Sequence, residues 1–347
     1  MAATVSARAP RLRRSDVAGP GIRRLVHGRG FRYVDEDGDR VDETEVLRRI
    51  QELVIPPAWD HVWICPYPGG HIHATGVDAK GRKQYLYHPA WRVRRDRVKF
   101  DEMVEFARAL PALREQTEAH LRDGAMSRDH VLACAIRLLD RGFFRIGSED
   151  YAVRNETYGL ATMKKRHVRL RGNVLLFDYP AKHGKRRVQA VVDPQVAAVV
   201  TRLKARRGGS DELLAYRRGR QWVDVRSSDI NEELKAWTGR DISAKDFRTW
   251  GATMLAAIAL GVAGDAPATT AGRRRAAARA VKEVAYYLGN TPAVTRASYI
   301  DPRVFERYEE GRTIDHALGL LAAEADATAI QGPVEEAVLE LLTGSRR

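Results

Sequence analysis

The sequence YYLGNTPAVTRASYIDPRV, residues 286–304, ends one helix and begins another within a few residues. Gly289 is typical of a helix C-terminus, and Thr291 followed by Pro292 is typical of a helix start. A second start signal, Asp-Pro, follows Tyr299 after one residue. We therefore predict that Tyr299 lies at the end of a short helix, where its side chain either faces a cleft or is a half-buried structural aromatic.

On either side of this stretch the chain carries a helical pattern. Apolar residues recur at helical spacing in residues 101–124 and 127–142, and similar segments return after residue 193. One interruption, HVRLRGNVLLFDYPAKHGKRRVQAVVD at residues 167–193, alternates as two or three strands with a turn at His183. The second part of the chain is thus predicted to be mainly helical, with a small β-hairpin sheet.

The first part of the chain shows short strands and tight turns instead. Residues 31–88 alternate between apolar and polar side chains around Gly-containing turns, and one helical segment interrupts them at residues 43–53. We predict an α+β protein with three parts. These are a disordered basic tail at residues 1–18, a small antiparallel β-sheet domain at residues 19–92, and a larger, mainly helical domain at residues 98–347.

Composition narrows the partners of the chain. It has 347 residues and a net charge of +14, which favours a polyanionic partner such as nucleic acid because basic side chains that meet phosphates release counterions. Cys65 and Cys134 lie far apart, without the spacing of a zinc site or a disulfide framework. No apolar run has membrane-spanning length, and we expect no secretory leader. We therefore expect a cytoplasmic protein without a membrane or metal partner.

Four further residues are candidates for a site with Tyr299. Arg145 follows two phenylalanines after a predicted helix end, and Lys182 lies at the tip of the predicted hairpin. Arg248 lies near a helix start, where the helix dipole disfavours a cation, and Asn290 lies where the helix restarts. Taken singly, each residue also fits an ordinary role as a surface ion pair, a soluble turn or an extra helix cap.

Taken together, these residues match a known pattern. The order Arg145, Lys182, Arg248, Asn290, Tyr299, with TPAVTRASY closing the set, closely resembles the catalytic residues of the type IB DNA topoisomerases, in particular the small poxvirus-like enzymes of bacteria. The N-terminal motifs LRRIQELVIPPAW, VWICP and GHIHATGVDAKGRKQYLYH are similar to the sheet domain of that family. The resemblance covers roughly residues 20–310. It departs from the commonest pattern at Asn290, where many members carry histidine.

The resemblance implies a catalytic domain of the tyrosine recombinase/topoisomerase IB type that relaxes supercoiled DNA. Tyr299 would cut one strand and form a 3′-phosphotyrosyl intermediate, after which the strand rotates and is resealed. Arg145, Arg248 and Asn290 would bind the non-bridging oxygens, and Lys182 would protonate the 5′-oxygen. Because one phosphodiester is exchanged for another, neither ATP nor any cofactor or metal is required. We expect a monomer that clamps double-stranded DNA and is associated with the nucleoid.

The same resemblance assigns DNA-binding residues to the N-terminal sheet. The KGRKQYLYH segment would reach into the major groove, where glutamine can bind adenine and lysine can bind guanine. Strand geometry places alternate side chains on opposite faces, so the tyrosines share one face and cannot all point at DNA together with the glutamine. The tyrosines could instead be core residues of the sheet. The predicted DNA-binding residues are Lys80, Arg82, Gln84, Tyr85 and Tyr87.

Two other functions remain open from the sequence. A tyrosine recombinase shares this chemistry but typically has a histidine three residues before the second arginine, where this chain has Lys245, and an N-terminal helical clamp. A DNA-binding protein that keeps the fold but has lost activity is the second alternative. Relaxation of a supercoiled plasmid in EDTA without ATP separates the three.

Overall fold

A computed structural model of the protein describes residues 11–264, 269–323 and 331–344. The chain divides into two units, residues 1–99 and 100–347. The division lies in a continuous helix, α2 (Pro89–Arg122), so the residues between the two predicted domains are helical. This helix contains no glycine, although it does contain Pro111.

The first unit contains a five-stranded antiparallel sheet with one helix; the alternation of residues 31–88 predicted such a sheet, but its strand at residues 22–27 was not predicted. The strands lie in the order β2-β1-β3-β4-β5, and apolar side chains between the sheet and α1 form a small separate core. The elements are β1 (Ile22–His27), β2 (Gly30–Val34), α1 (Thr44–Glu52), β3 (Asp60–Ile64), β4 (Ile72–Val77) and β5 (Lys83–Tyr87).

Residues 11–18, which were predicted to belong to the disordered tail, are hydrogen-bonded to this sheet domain. The Arg13 amide donates to the Gly69 carbonyl at 2.8 Å, and the His71 amide donates to the Arg13 carbonyl at 2.9 Å. The Ser15 amide donates to His71 Nδ1 at 2.8 Å. The predicted tail boundary is therefore wrong, because these backbone groups find partners beside β4. Residues 1–10 lie outside the described residues.

The second unit is mainly helical, which confirms the predicted α+β fold class. Its largest core combines side chains of helices and of a small sheet, with edge-on contacts such as Phe144 against Phe177 at 4.7 Å between ring centroids. The remaining helices are α3 (Arg128–Gly142), α4 (Glu149–Asn155), α5 (Pro194–Ala205), α6 (Ser227–Thr238), α7 (Ala244–Val262), α8 (Thr270–Leu288), α9 (Pro292–Ser298), α10 (Pro302–Glu309), α11 (Asp315–Ala323) and α12 (Pro333–Thr343).

The predicted β interruption forms a three-stranded antiparallel sheet in the order β6-β7-β8. Its strands are β6 (Val168–Arg171), β7 (Val174–Pro180) and β8 (Arg186–Val192), and β7 and β8 form a hairpin. His183 and Gly184 both have positive φ at its tip, as the turn prediction requires. A two-stranded sheet, β9 (Ala215–Arg218) with β10 (Gln221–Asp224), was not predicted.

The segment that follows α3 packs against α7 at a glycine. Phe143 follows α3 in a left-handed conformation with φ 51°. Its ring lies against Gly251, where an added Cβ would come within 2.2 Å of the ring. Gly251 therefore allows the chain that follows α3 to pass close to α7, the helix that contains Arg248.

Candidate active site

Arg145 lies in the segment that leaves α3 and is fixed by backbone hydrogen bonds. The Leu160 amide donates to the Arg145 carbonyl at 2.8 Å. The guanidinium donates from Nη2 to the Gly289 carbonyl at 3.1 Å and to Asn290 Oδ1. Arg145 is not paired with its acidic neighbour Glu149, which instead accepts hydrogen bonds from Ser227. The side chain is therefore directed toward the end of α8.

Arg248 is a charged side chain held by carbonyl groups. It is 4% exposed, and its guanidinium donates to the Phe143 carbonyl and, at 3.0 Å, to the Leu288 carbonyl. Its Nε is buried and has no hydrogen-bond partner among the described residues. Burial and the nearby Arg145 lower the pKa of Arg248 to about 10, while Tyr299 opposes this shift. The guanidinium therefore stays protonated at neutral pH.

Asn290 follows the glycine that ends α8. Its amide oxygen accepts from Arg145, which has only donors, so the amide is oriented with Nδ2 on the other side. Nδ2 is buried and makes no hydrogen bond within the part of the chain that the structure describes. The Asn290 side chain is not needed as a helix cap, because Thr291 caps α9 by accepting from the Val294 amide at 3.3 Å.

Tyr299 lies immediately after α9, which confirms its predicted position at the end of a short helix. Its amide donates to the Thr295 carbonyl at 3.0 Å, and its carbonyl accepts from Thr253 in α7 at 3.4 Å. The side chain is half-buried, and Arg248 Cζ lies 5.5 Å from the centre of its ring. The backbone thus fixes the tyrosine beside a buried guanidinium.

Lys182 is exposed at the tip of the β7–β8 hairpin. It lines a cleft of about 670 Å³ together with Arg145 and Asn290. Arg248 and Tyr299 do not line this cleft; Arg248 is bonded to the Leu288 carbonyl at the end of α8, and Tyr299 lies beside the Arg248 guanidinium. The structure therefore brings Arg145 and Asn290 into direct contact, pairs Arg248 with Tyr299, and leaves Lys182 at the rim.

Three further arginines line this cleft, Arg141, Arg186 and Arg187, and sequence reasoning singled out none of them. Arg187 in β8 is half-buried, and its guanidinium donates to the Tyr287 carbonyl and to Gln189 Oε1. The alternation of a strand places Arg187 on the face opposite to Arg186, which forms an ion pair with Asp178. Strand alternation is thus the sequence signal that predicts different faces of β8 for Arg186 and Arg187.

In the first unit, Asp78 organises the turn between β4 and β5. Its carboxylate accepts hydrogen bonds from Arg82 Nε at 2.8 Å and from Gln84 Nε2 at 2.9 Å, and also from the Lys80 amide at 2.9 Å. The Arg82 guanidinium holds the pKa of Asp78 well below its usual range. Three of the predicted DNA-binding residues are therefore anchored on one carboxylate.

Tyr85 and Tyr87 stack on each other, with ring centroids 6.0 Å apart and an angle of 13° between the planes. Tyr85 is 41% exposed, whereas Leu86 between them packs against the small core. The two tyrosines are therefore on the face of β5 away from this core, and the alternative that they are core residues is not what the structure shows.

The described residues contain no cluster of three or more histidine, cysteine or carboxylate side chains that could hold a metal ion. None of the described helices is both long and apolar enough to cross a membrane. Cys65 and Cys134 are free thiols in the interior. What the second unit does present is a set of guanidinium and amide donors that face a cleft, which suits an anionic ligand such as a phosphodiester.

Comparison with known proteins gives the class and then the family. The protein-family model for the catalytic core of eukaryotic DNA topoisomerase I matches residues 88–317. The family model for the N-terminal domain of bacterial DNA topoisomerase IB matches residues 30–78. The chain is therefore a DNA topoisomerase. It belongs to the type IB DNA topoisomerase family, and its N-terminal domain is of the bacterial kind.

Viral relatives agree with this assignment. The chain is 28% identical over 299 residues to DNA topoisomerase 1B of Acanthamoeba polyphaga mimivirus, a match that covers 83% of this chain and 88% of the relative. It is 23% identical over 247 residues to DNA topoisomerase 1B of Vaccinia virus strain Copenhagen, covering 70% of this chain and 74% of the relative. These matches confirm the predicted family and enzyme class and argue against a tyrosine recombinase.

Gly289 provides a test of this geometry. It has φ +62°, and an added Cβ would lie 3.0 Å from Arg187 Nη1 and 4.0 Å from Arg145 Nη1. Gly289→Ala is expected to cost about 1 kcal/mol in unfolding free energy, from left-handed backbone strain. It should also slow single-turnover DNA cleavage about 10- to 100-fold, because the guanidinium groups must move.

Gly239→Ala is the matched control for this substitution. Gly239 ends α6 with φ +63°, and nothing lies within 4 Å of an added Cβ there. The control should show the same loss of stability in a urea titration and normal cleavage. Equal cleavage rates for the two variants would contradict the proposed packing of the arginines on Gly289.

Proposed function

We propose that Tyr299 is the nucleophile with which this chain relaxes supercoiled DNA, and that Arg145, Arg248 and Asn290 bind the scissile phosphate. The observation that carries this proposal is a pair of buried donors that have no acceptor among the described residues, Asn290 Nδ2 and Arg248 Nε, the second belonging to the guanidinium beside the Tyr299 ring. Buried donors without partners are costly, so their retention supports a ligand that supplies acceptor oxygens. The non-bridging oxygens of a phosphodiester are such acceptors.

In the cleavage step, the Tyr299 oxygen bonds to phosphorus as the bond from phosphorus to the 5′-oxygen breaks. A tyrosine phenol is mostly neutral at pH 7, so it must lose its proton during the attack. The Arg248 cation, 5.5 Å from the ring centre, favours the developing phenolate. Donors that meet negative charge on the transferring group are each worth about 100- to 1,000-fold in rate.

Lys182 is proposed as the general acid for the departing 5′-oxygen. An alkoxide is a poor leaving group, and a proton from an ammonium group removes the charge as the bond breaks. The position of Lys182 at an exposed hairpin tip, lining the same cleft as Arg145, supports this role. The products are a 3′-phosphotyrosyl strand and a free 5′-hydroxyl, and the reverse attack reseals the strand after rotation.

The reaction balances without ATP, a metal or another cofactor, because one phosphodiester replaces another and the proton returns on resealing. We further propose that a single copy of the chain clamps double-stranded DNA, in keeping with its net charge of +14. The strand β5 and the turn before it would contribute to DNA binding. The residues proposed there are Lys80, Arg82, Gln84, Tyr85 and Tyr87.

The first prediction here identifies the nucleophile. Tyr299→Phe should bind duplex DNA with unchanged affinity but form no covalent adduct, because only the attacking oxygen is removed. SDS trapping on a labelled duplex measures the adduct, and filter binding measures the affinity.

Tyr287→Phe is the control, since this tyrosine lines the cleft with Arg145 and would be the rival nucleophile. It should still form the adduct. An adduct that persists in Tyr299→Phe and disappears in Tyr287→Phe would show that the wrong tyrosine has been assigned.

The second prediction concerns the acid. Lys182→Ala should slow cleavage about 100- to 10,000-fold, the usual worth of a general acid. A substrate with sulfur in place of the bridging 5′-oxygen has a better leaving group that needs no proton, so it should restore most of the rate. Single-turnover cleavage of both substrates is the measurement.

Two further variants sharpen this experiment. Arg248→Ala should be rescued less, because its proposed partners are the non-bridging oxygens. Lys185→Ala, in the same hairpin turn, should lose much less activity than Lys182→Ala. Equal rescue of Lys182→Ala and Arg248→Ala, or no rescue of either, would mean that the acid is a different residue.

A further inference from the structure

Three consecutive carbonyl groups at the end of α8 each bind a different arginine. The Tyr287 carbonyl accepts from Arg187, the Leu288 carbonyl accepts from Arg248, and the Gly289 carbonyl accepts from Arg145. The three arginines come from β8, α7 and the segment after α3. Two of them belong to the proposed catalytic set, whereas the third, Arg187, has no role in it.

Within the described part of the chain, the side-chain hydrogen bonds of Arg187 go to neutral groups. Besides the Tyr287 carbonyl, its Nε donates to Gln189 Oε1, and the phenol of Tyr179 lies beside it. Gln189 is itself held by a hydrogen bond from its amide nitrogen to the Gly142 carbonyl at 2.8 Å. No ion pair between Arg187 and a carboxylate is found in the described ranges.

The neighbouring charge is of the same sign. Burial lowers the pKa of Arg187, and the Arg145 guanidinium lowers it further. Both Nη1 atoms lie beside Gly289, where an added Cβ would be 3.0 Å from that of Arg187 and 4.0 Å from that of Arg145. A pair of half-buried guanidinium groups without a counter-ion is stabilised by any anion that enters between or beside them.

The cleft that Arg187 lines is the one that contains Lys182, Arg145 and Asn290. The scissile phosphate has only two non-bridging oxygens, and Arg145, Asn290 and Arg248 already offer enough donors to occupy them. A further guanidinium in the same cleft is therefore better matched to the next phosphate along the strand. Consecutive phosphates carry one charge each, so the cleaved strand supplies the missing anion.

We propose that Arg187 binds the cleaved DNA strand at a phosphodiester next to the scissile one, and thereby positions the scissile phosphate against Arg145. This inference rests on the proposed function of the site. It makes Arg187 a substrate-binding residue, held in place by the Tyr287 carbonyl and by Gln189.

The test compares Arg187→Ala and Arg187→Lys with Arg186→Ala. Arg186 is the adjacent arginine on β8, and its guanidinium is already paired with Asp178 at 2.7 Å. In single-turnover cleavage, Arg187→Ala should be slower by about 10- to 100-fold, the size expected for hydrogen bonds to a charged group. Arg187→Lys should recover part of the loss, and Arg186→Ala should lose less than about threefold.

Neutral DNA linkages show where the contact lies. Duplexes with a methylphosphonate at either linkage flanking the scissile phosphate are cleaved by the unaltered chain and by Arg187→Ala. With the methylphosphonate at one of the two linkages, the unaltered chain should cleave as slowly as Arg187→Ala cleaves ordinary DNA. The same methylphosphonate should not slow Arg187→Ala any further. The proposal is overturned if Arg187→Ala stays slower than the unaltered chain by the same factor with a methylphosphonate at either linkage. It is also overturned if Arg187→Ala slows cleavage no more than Arg186→Ala does.

Two controls separate this result from misfolding and from an error in the catalytic assignment. Melting temperatures compare Arg187→Ala with Arg187→Lys, and if alanine destabilises the fold, the methylphosphonate comparison is made with lysine. Duplex affinity is also measured in the Tyr299→Phe background, with and without Arg187→Ala. A weakened affinity there supports the phosphate contact even if Tyr299 is not the nucleophile, and an unchanged affinity together with normal cleavage refutes it.

Discussion

The C-terminus of α8 is the feature on which the rest of the site depends. A helix C-terminus carries a partial negative charge on carbonyl groups that have no partner within the helix. Here the carbonyls of Tyr287, Leu288 and Gly289 are used to hold three guanidinium groups that would otherwise repel one another. They stabilise the cations without neutralising them, and among the described residues no carboxylate lines the cleft, where it would compete with DNA.

This constraint explains several features of the sequence. Gly289 has the left-handed conformation that ends α8 and leaves room for the arginines. Asn290, the next residue, takes its orientation from Arg145, which leaves an amide donor directed away from the arginine. Gly251 allows Phe143 to pass close to α7, and the Phe143 carbonyl then helps to hold Arg248. Segments that are distant in the sequence thus come together at this site because glycines allow close approach and carbonyl groups accept hydrogen bonds from the arginines.

Much of this could be predicted from local sequence signals. Gly289 and Thr291 gave the helix end and restart that place Tyr299, and the turn at His183 gave the hairpin that carries Lys182. Arg248 lies near a helix start, where the helix dipole disfavours a cation, and carbonyl groups from two other helix ends compensate for this position. The family resemblance supplied what these signals could not, namely the proposal of which residues act together.

The parts that were missed depend on long-range contacts. Arg187 finds its carbonyl acceptor 100 residues further along the chain, and no local pattern announces such a pairing. Residues 11–18 likewise find hydrogen-bond partners far along the chain, at Gly69 and His71. A basic segment without a local structural pattern is therefore predicted as a disordered tail. The turn at Asp78-Ala79-Lys80-Gly81 was predicted, but the role of the Asp78 side chain was not, because its partners Arg82 and Gln84 come into place only in the folded sheet.

The most direct measurement is to identify the amino acid that carries the DNA. The trapped adduct of the unaltered chain is digested with protease and nuclease, and the modified peptide is sequenced by mass spectrometry. The account predicts a nucleotide joined through its 3′-phosphate to Tyr299, with a 5′-hydroxyl on the released strand. A nucleotide on Tyr286 or Tyr287, or a linkage through a 5′-phosphate, would contradict it.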